Sequence, residues 1–147
     1  TITDETMTRF LMPMSEAIKL VIYAMKNAKN GDIFVKKTYS TTIKNLANTV
    51  IKFMKKKKWK INVIGNRHGE KKHECLISSE ELAKAKNLSS FYCIPSDIRD
   101  LNYNKYFDKG EKNNLLKSYS SDNVRILNEN ELIKVLNYIK SDLIVDK

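Results

Sequence analysis

Arg67, Gly69 and Glu70 fall in the polar run Arg67-His68-Gly69-Glu70-Lys71-Lys72-His73-Glu74, directly after the more apolar Trp59-Lys60-Ile61-Asn62-Val63-Ile64. A guanidinium on a loop at a strand end can grip a phosphate through two parallel N–H···O bonds. A carboxylate three residues on can accept from sugar hydroxyls, and a glycine between them lets backbone approach a ligand. A second arginine, Arg9, stands in Met7-Thr8-Arg9-Phe10. Two arginines from separate segments meeting on one pyrophosphate would supply strong charge-assisted hydrogen bonds. Each feature also has a plainer reading, a solvated polar turn for the run and a surface charge for Arg9, and the spacing alone leaves both open.

Other chemistry has less support. His68 and His73 with Glu70 and Glu74 are ligand types that suit zinc, but they lack the H-E-x-x-H spacing that places two histidines one helical turn apart, so no metal site is expected. Cys75 and Cys93 have neither C-x-x-C spacing nor the surroundings of a nucleophile. The run Lys55 to Lys58 beside Trp59 could neutralise phosphates and stack on a base, which keeps a basic nucleic-acid-binding module as the alternative reading. Basic residues are nevertheless scattered along the chain without an RRM, KH or helix-turn-helix signature, so no nucleic acid partner is expected. The four glycines stand at 31, 65, 69 and 110, which rules out a G-x-G-x-x-G fingerprint, and no tyrosine is followed four positions later by lysine. The chain thus lacks the usual means of binding NAD and of short-chain dehydrogenase catalysis.

The elements that would position these residues alternate. Ser15-Glu16-Ala17-Ile18 reads as an N-cap and first turn, with Ile18, Val21, Ile22 and Met25 on one helical face and Asn30-Gly31 closing the helix. Ile33-Phe34-Val35 predicts a strand, and Ser40 or Thr41 caps a second helix carrying Ile43, Leu46, Ala47, Val50, Ile51 and Met54, ended by the lysine run. The alternation from Trp59 to Ile64 predicts another strand, and 66–73 a loop. A short helix opens at Ser79, Phe91-Tyr92-Cys93-Ile94 predicts a strand before Pro95, and a last helix follows Asn128 with Leu132, Val135, Leu136 and Ile139 on one face. Between Ser96 and Ser121 the periodicity fades, and an ordered but irregular extension is expected. Helix and strand in this order predict an α/β arrangement, α+β for the chain taken by itself.

With 147 residues and 41% hydrophobic content, the chain suits one ordinary domain and excludes two substantial ones. The net charge of +10 leaves an anionic partner open, whether substrate phosphate, nucleic acid or an anionic membrane. Two cysteines give no disulfide framework, and no stretch approaches a spanning helix, so a cytoplasmic setting without membrane insertion is expected. Because the first residue is Thr1, the chain is read as processed or cut from a longer product.

Thr3-Asp4-Glu5-Thr6-Met7-Thr8-Arg9-Phe10, Gly31-Asp32-Ile33-Phe34-Val35, Thr42-Ile43-Lys44-Asn45-Leu46-Ala47 and the run from Arg67 to Glu74 together resemble, in motif, order and interval, the C-terminal half of CapD-type capsular-polysaccharide epimerases of the extended short-chain dehydrogenase superfamily. The stretch from Ile94 to Phe107, with Ile94-Pro95-Ser96-Asp97-Ile98-Arg99-Asp100-Leu101, looks like the C-terminal extension of those proteins. The resemblance implies two parts, a substrate-binding part over 1–90 and the extension over 91–147, with the Rossmann half absent. It implies a parent enzyme acting on UDP-glucose or UDP-N-acetylglucosamine, either an NAD-dependent 4-epimerase or a 4,6-dehydratase, in capsule or O-antigen synthesis. By the same resemblance Arg9 and Arg67 clamp the pyrophosphate of a UDP-sugar and Glu70 binds the ribose hydroxyls. No catalytic residue, no cofactor site and no turnover are expected of this chain alone. A separately encoded Rossmann half is a possible partner, and self-association is expected through apolar helix faces such as Ile18/Val21/Ile22/Met25.

Overall fold

The computed structural model describes residues 1–56, 58–96 and 117–144. Its elements run β1 (Thr8–Leu11), α1 (Met14–Asn27), β2 (Ile33–Lys36), β3 (Tyr39–Thr42), α2 (Ile43–Phe53), β4 (Cys75–Ile77), α3 (Ser79–Lys84), β5 (Lys86–Asn87), β6 (Phe91–Ile94), β7 (Tyr119–Ser120) and α4 (Glu129–Ile144). The strands form three small antiparallel sheets, β1-β3, β2-β6-β5 and β4-β7, on which helices pack, a mixed α/β fold as the alternation predicts. The expected irregular extension lies largely outside the described residues, apart from its end in β7.

Several local expectations are corrected. Ser15 does not cap α1: Pro13 does, its carbonyl accepting from Glu16 and Ala17, and Ser15 Oγ lies 3.0 Å from the Tyr138 hydroxyl of α4 instead. Gly31 does not close that helix, which ends at Asn27. It stands in the Lys29–Asp32 turn at φ 81°, with the Ser96 side chain filling the space where a Cβ would go. The cap of α2 is Thr42, the last residue of β3, whose Oγ1 accepts from Asn45 N at 3.2 Å, while Ser40 and Thr41 lie earlier in that strand. Trp59 to Ile64 is not a strand: only Val63 forms a bridge, parallel to Ile2, with Ile2 N donating to Asn62 O and Ile64 N to Ile2 O. Alternation there finds no sheet face to bury against, and Trp59, Val63 and Ile64 remain exposed. The later helices start on reciprocal caps, Ser78 with Glu81 for α3 and Asn128 with Glu131 for α4.

The interior is half polar. Met7, Ile77, Phe91, Cys93, Ile94, Leu127 and Leu132 are buried, and so are Thr8, Ser40, Thr41, Thr49, Ser120 and Ser121. Every buried side-chain polar atom among the described residues has a partner. Tyr23 anchors α1 by packing on Phe34 and Phe91, with ring centroids 5.6 and 4.6 Å away. That turns the opposite stripe outward: Ile18, Val21, Ile22 and Met25 are 52, 57, 47 and 81% exposed. Burial pushes the Cys93 thiol and the Tyr119 hydroxyl above their ordinary values.

Candidate functional site

Strand β1 and the loop before β4 are stitched together at one place. Thr8 N donates to Lys72 O at 3.1 Å, and Phe10 N donates to Glu74 Oε2 at 3.2 Å. Behind this seam lies a buried knot: Thr8 Oγ1 is 2.8 Å from His73 Nδ1 and 2.6 Å from Ser121 Oγ, which also accepts from Glu74 N at 2.9 Å. Thr8, a β-branched polar residue at the start of β1, thus ties three separate segments together.

In front of the seam the loop turns. Glu70 N donates to Arg67 O at 3.1 Å, with Gly69 at φ 79°, the left-handed geometry a type II turn requires at its third position. A Cβ at Gly69 would meet no protein atom, so within the chain it is the dihedral angle that calls for glycine. Glu70 lies back across the turn: its Oε2 accepts from Arg67 N at 3.3 Å and its Oε1 from Thr3 Oγ1 at 2.9 Å. Nearby, Asp4 is held below the usual carboxylate range chiefly by the hydrogen bond from Thr6 N.

Arg9, Arg67 and Glu70 line one cavity of about 270 Å³, walled also by Ile2, Met7 and Ile64. Arg9 Nη2 is 3.9 Å from Glu70 Oε1, while Arg9 Nε is 3.7 Å from Glu74 Oε1. The three residues named from the sequence are therefore neighbours, although they come from opposite ends of a long stretch of chain. Thr3, Met7 and Glu74 complete the surroundings. Residue type and spacing do not single out the first two beyond their place in the run ending at Phe10, and Glu74 is conspicuous only as a possible metal ligand. His68 is exposed and His73 turns inward to Thr8, so the two histidines do not converge. Among the described residues no group of three or more histidine, cysteine or acidic side chains is placed to hold a metal ion. Trp59, the candidate base-stacking ring, has Lys56 Nζ 5.9 Å from its centroid.

A family model described as "Polysaccharide biosynthesis protein" matches residues 1–96. The chain belongs to the polysaccharide biosynthesis protein family. A second model, "Polysaccharide biosynthesis protein C-terminal", matches residues 97–141 of this family member. Similar proteins include a UDP-glucose 4-epimerase of Rickettsia canadensis (strain McKiel), 48% identical over 97% of this chain and 43% of that protein. Another, from Rickettsia typhi (strain ATCC VR-144 / Wilmington), is 47% identical with the same coverage. The X-ray structure of Pen from Bacillus thuringiensis superposes with a TM-score of 0.77 at 29% identity, over 94% of this chain and 39% of that one. This polysaccharide biosynthesis chain thus spans less than half the length of the relatives it matches. The segments that carry the resemblance to CapD-type epimerases lie within these matches. No helix among the described residues is long and apolar enough to cross a membrane.

Proposed function

We propose that this chain is the UDP-sugar-binding part of a UDP-glucose or UDP-N-acetylglucosamine 4-epimerase or 4,6-dehydratase of cytoplasmic capsule or O-antigen synthesis. Residues 1–90 form the substrate-binding part and 91–147 its extension. The observation that carries the reading is the meeting of Arg9, Arg67 and Glu70 around one cavity. Two guanidinium groups make the walls cationic, as a diphosphate needs, and the Glu70 carboxylate suits ribose hydroxyls. At about 270 Å³ the cavity accommodates a diphosphate and ribose but not a whole nucleotide sugar, so the remainder of the ligand extends beyond it.

NAD, the cofactor of the complete enzyme in this reading, does not fit the residues here. Gly31 is occupied by contact with Ser96, and Gly65 and Gly69 lie in a loop that leads to a strand, not in a strand-to-helix turn. A separately encoded Rossmann half is the partner that would supply it. Titration of the chain with UDP and with UDP-N-acetylglucosamine tests the proposal. Both are expected to bind, and Arg67→Gln is expected to weaken UDP by about tenfold or more, the worth of one charge-assisted hydrogen bond. No measurable UDP binding, or equal affinity in the variant, would overturn the site. Turnover of UDP-sugar with NAD by this chain alone would overturn its assignment as a binding part.

The outward stripe of α1 adds self-association to the proposal, since adjacent bare apolar side chains invite contact. Size-exclusion chromatography is expected to show species larger than a monomer, shifted back by Val21→Lys and Met25→Glu together. A monomer at all loadings would contradict it.

A further inference from the structure

We propose that the turn after α2 is a peripheral docking surface for an anionic phospholipid bilayer, with Trp59 and Met54 entering the headgroup boundary and the lysines around them meeting lipid phosphates. The contact is with a membrane face, not a span across it, and it does not rest on the nucleotide reading of the Arg9 cavity.

Charge is segregated along this part of the chain. No acidic residue stands between Asp32 and Glu70, while lysines stand at 52, 55 to 58 and 60. Lys52 is paired with Glu129 at 2.7 Å. Lys55, Lys56, Lys58 and Lys60 are exposed, and among the described residues their side chains make no hydrogen bond or ion pair. The backbone keeps lysine here against local preference. Lys56 N donates to Ile51 O at 3.0 Å and Lys55 N to Lys52 O at 3.0 Å, the paired bonds of a Schellman end, whose left-handed residue is most often glycine. Lys55 takes that place at φ 54°, the one non-glycine residue with a positive φ among those described.

The turn also sets the apolar groups. Trp59 N donates to Lys56 O at 2.9 Å, and Trp59 borders a groove along α2 with Leu46, Val50 and Ile51. Trp59 is nevertheless 58% exposed, and Met54 at the helix end 51%. An indole and a thioether ringed by unpaired ammonium groups suit a bilayer boundary: the apolar parts leave water, the lysine stems lie along them, and the charges stay at the anionic surface. Single-stranded nucleic acid is the other polyanion, but it is held by successive aromatic platforms. Trp59 is the one ring that borders the groove, and its aliphatic neighbours suit an acyl chain better than a base.

The experiment sediments the 147-residue chain with vesicles of phosphatidylcholine alone and of phosphatidylcholine with phosphatidylglycerol in equal parts, in about 0.1 M salt. Since the chain has one tryptophan, its fluorescence reports Trp59 directly. The mixed vesicles are expected to bind the chain and shift that emission to the blue, and the neutral ones to bind about tenfold more weakly or less. Lys56→Glu with Lys58→Glu is expected to weaken binding to the mixed vesicles by about tenfold or more, and Trp59→Ala by about fivefold. Lys26→Glu with Lys84→Glu makes the same charge change on exposed residues of α1 and α3 and is expected to stay within about twofold. Equal loss in the two charge-reversed pairs, binding without a blue shift, or no preference for the anionic vesicles would each overturn the proposal. So would a single-stranded oligonucleotide that quenches Trp59 and displaces the vesicles. UDP titration reads the cavity separately, so neither failure carries the other.

Discussion

Met7→Ala is expected to destabilise the folded chain by about 2–5 kcal/mol, the usual range for emptying a fully buried long side chain. Met7 is 0% exposed and is the largest fully buried side chain among the described residues. Its sulfur lies 3.4 Å from Arg9 Nη2 and 3.5 Å from Thr3 Oγ1, and its carbonyl accepts from Ile43 N at 2.8 Å at the start of α2. The cavity it would leave therefore adjoins the Arg9 seam, which loosens together with the core. Urea unfolding followed by circular dichroism measures the loss, and Met7→Leu, close in volume, should recover most of it. An alanine variant with the parental midpoint would show that the neighbours collapse into the space.

The second large effect is polar. Ser121 is 0% exposed, and its hydroxyl serves Thr8 Oγ1, Thr8 O and Glu74 N at once. Ser121→Ala removes little volume but leaves the Glu74 amide without its acceptor, a penalty of about 1–3 kcal/mol for a buried unsatisfied group. Thr8→Val attacks the same knot from the other side. The double variant is expected to cost less than the sum of the two singles, because each removes partners the other relies on. Strict additivity in the same urea titration would mean that the hydroxyls act separately.

Much of this architecture was legible along the chain because helical periodicity and caps are local. The stripes of α1, α2 and α4, the Asn128 start of α4 and the β2 and β6 strands were read from spacing alone. What failed was non-local. Ser40 and Thr41 suit a helix cap by residue type, whereas pairing of Ser40 with Phe10 and Thr41 with Arg9 places both in a strand. Trp59 to Ile64 alternates like a strand but, among the described residues, bridges only to Ile2. Strand β4, three residues long, is too short to register as a pattern and exists through its pairing with β7. At the site, Arg9, Arg67 and Glu70 could be named from residue type and resemblance. The hydrogen bonds from Arg9 to Thr8 O, Lys71 O and Lys72 O could not, since no side-chain pattern encodes main-chain carbonyl partners.

The bare stripe of α1 also bears on how the molecule behaves in different buffers. The chain carries a formal charge of +10, so copies repel one another at a distance while the methyl-rich ridge attracts on contact. Dissolved salt shortens the reach of the repulsion to about 10 Å at 0.1 M and leaves the oily contact untouched. Ionic strength is therefore expected to act as a dial on the proposed clustering, with dilute buffers keeping the particles apart and sulfate-rich ones driving them together.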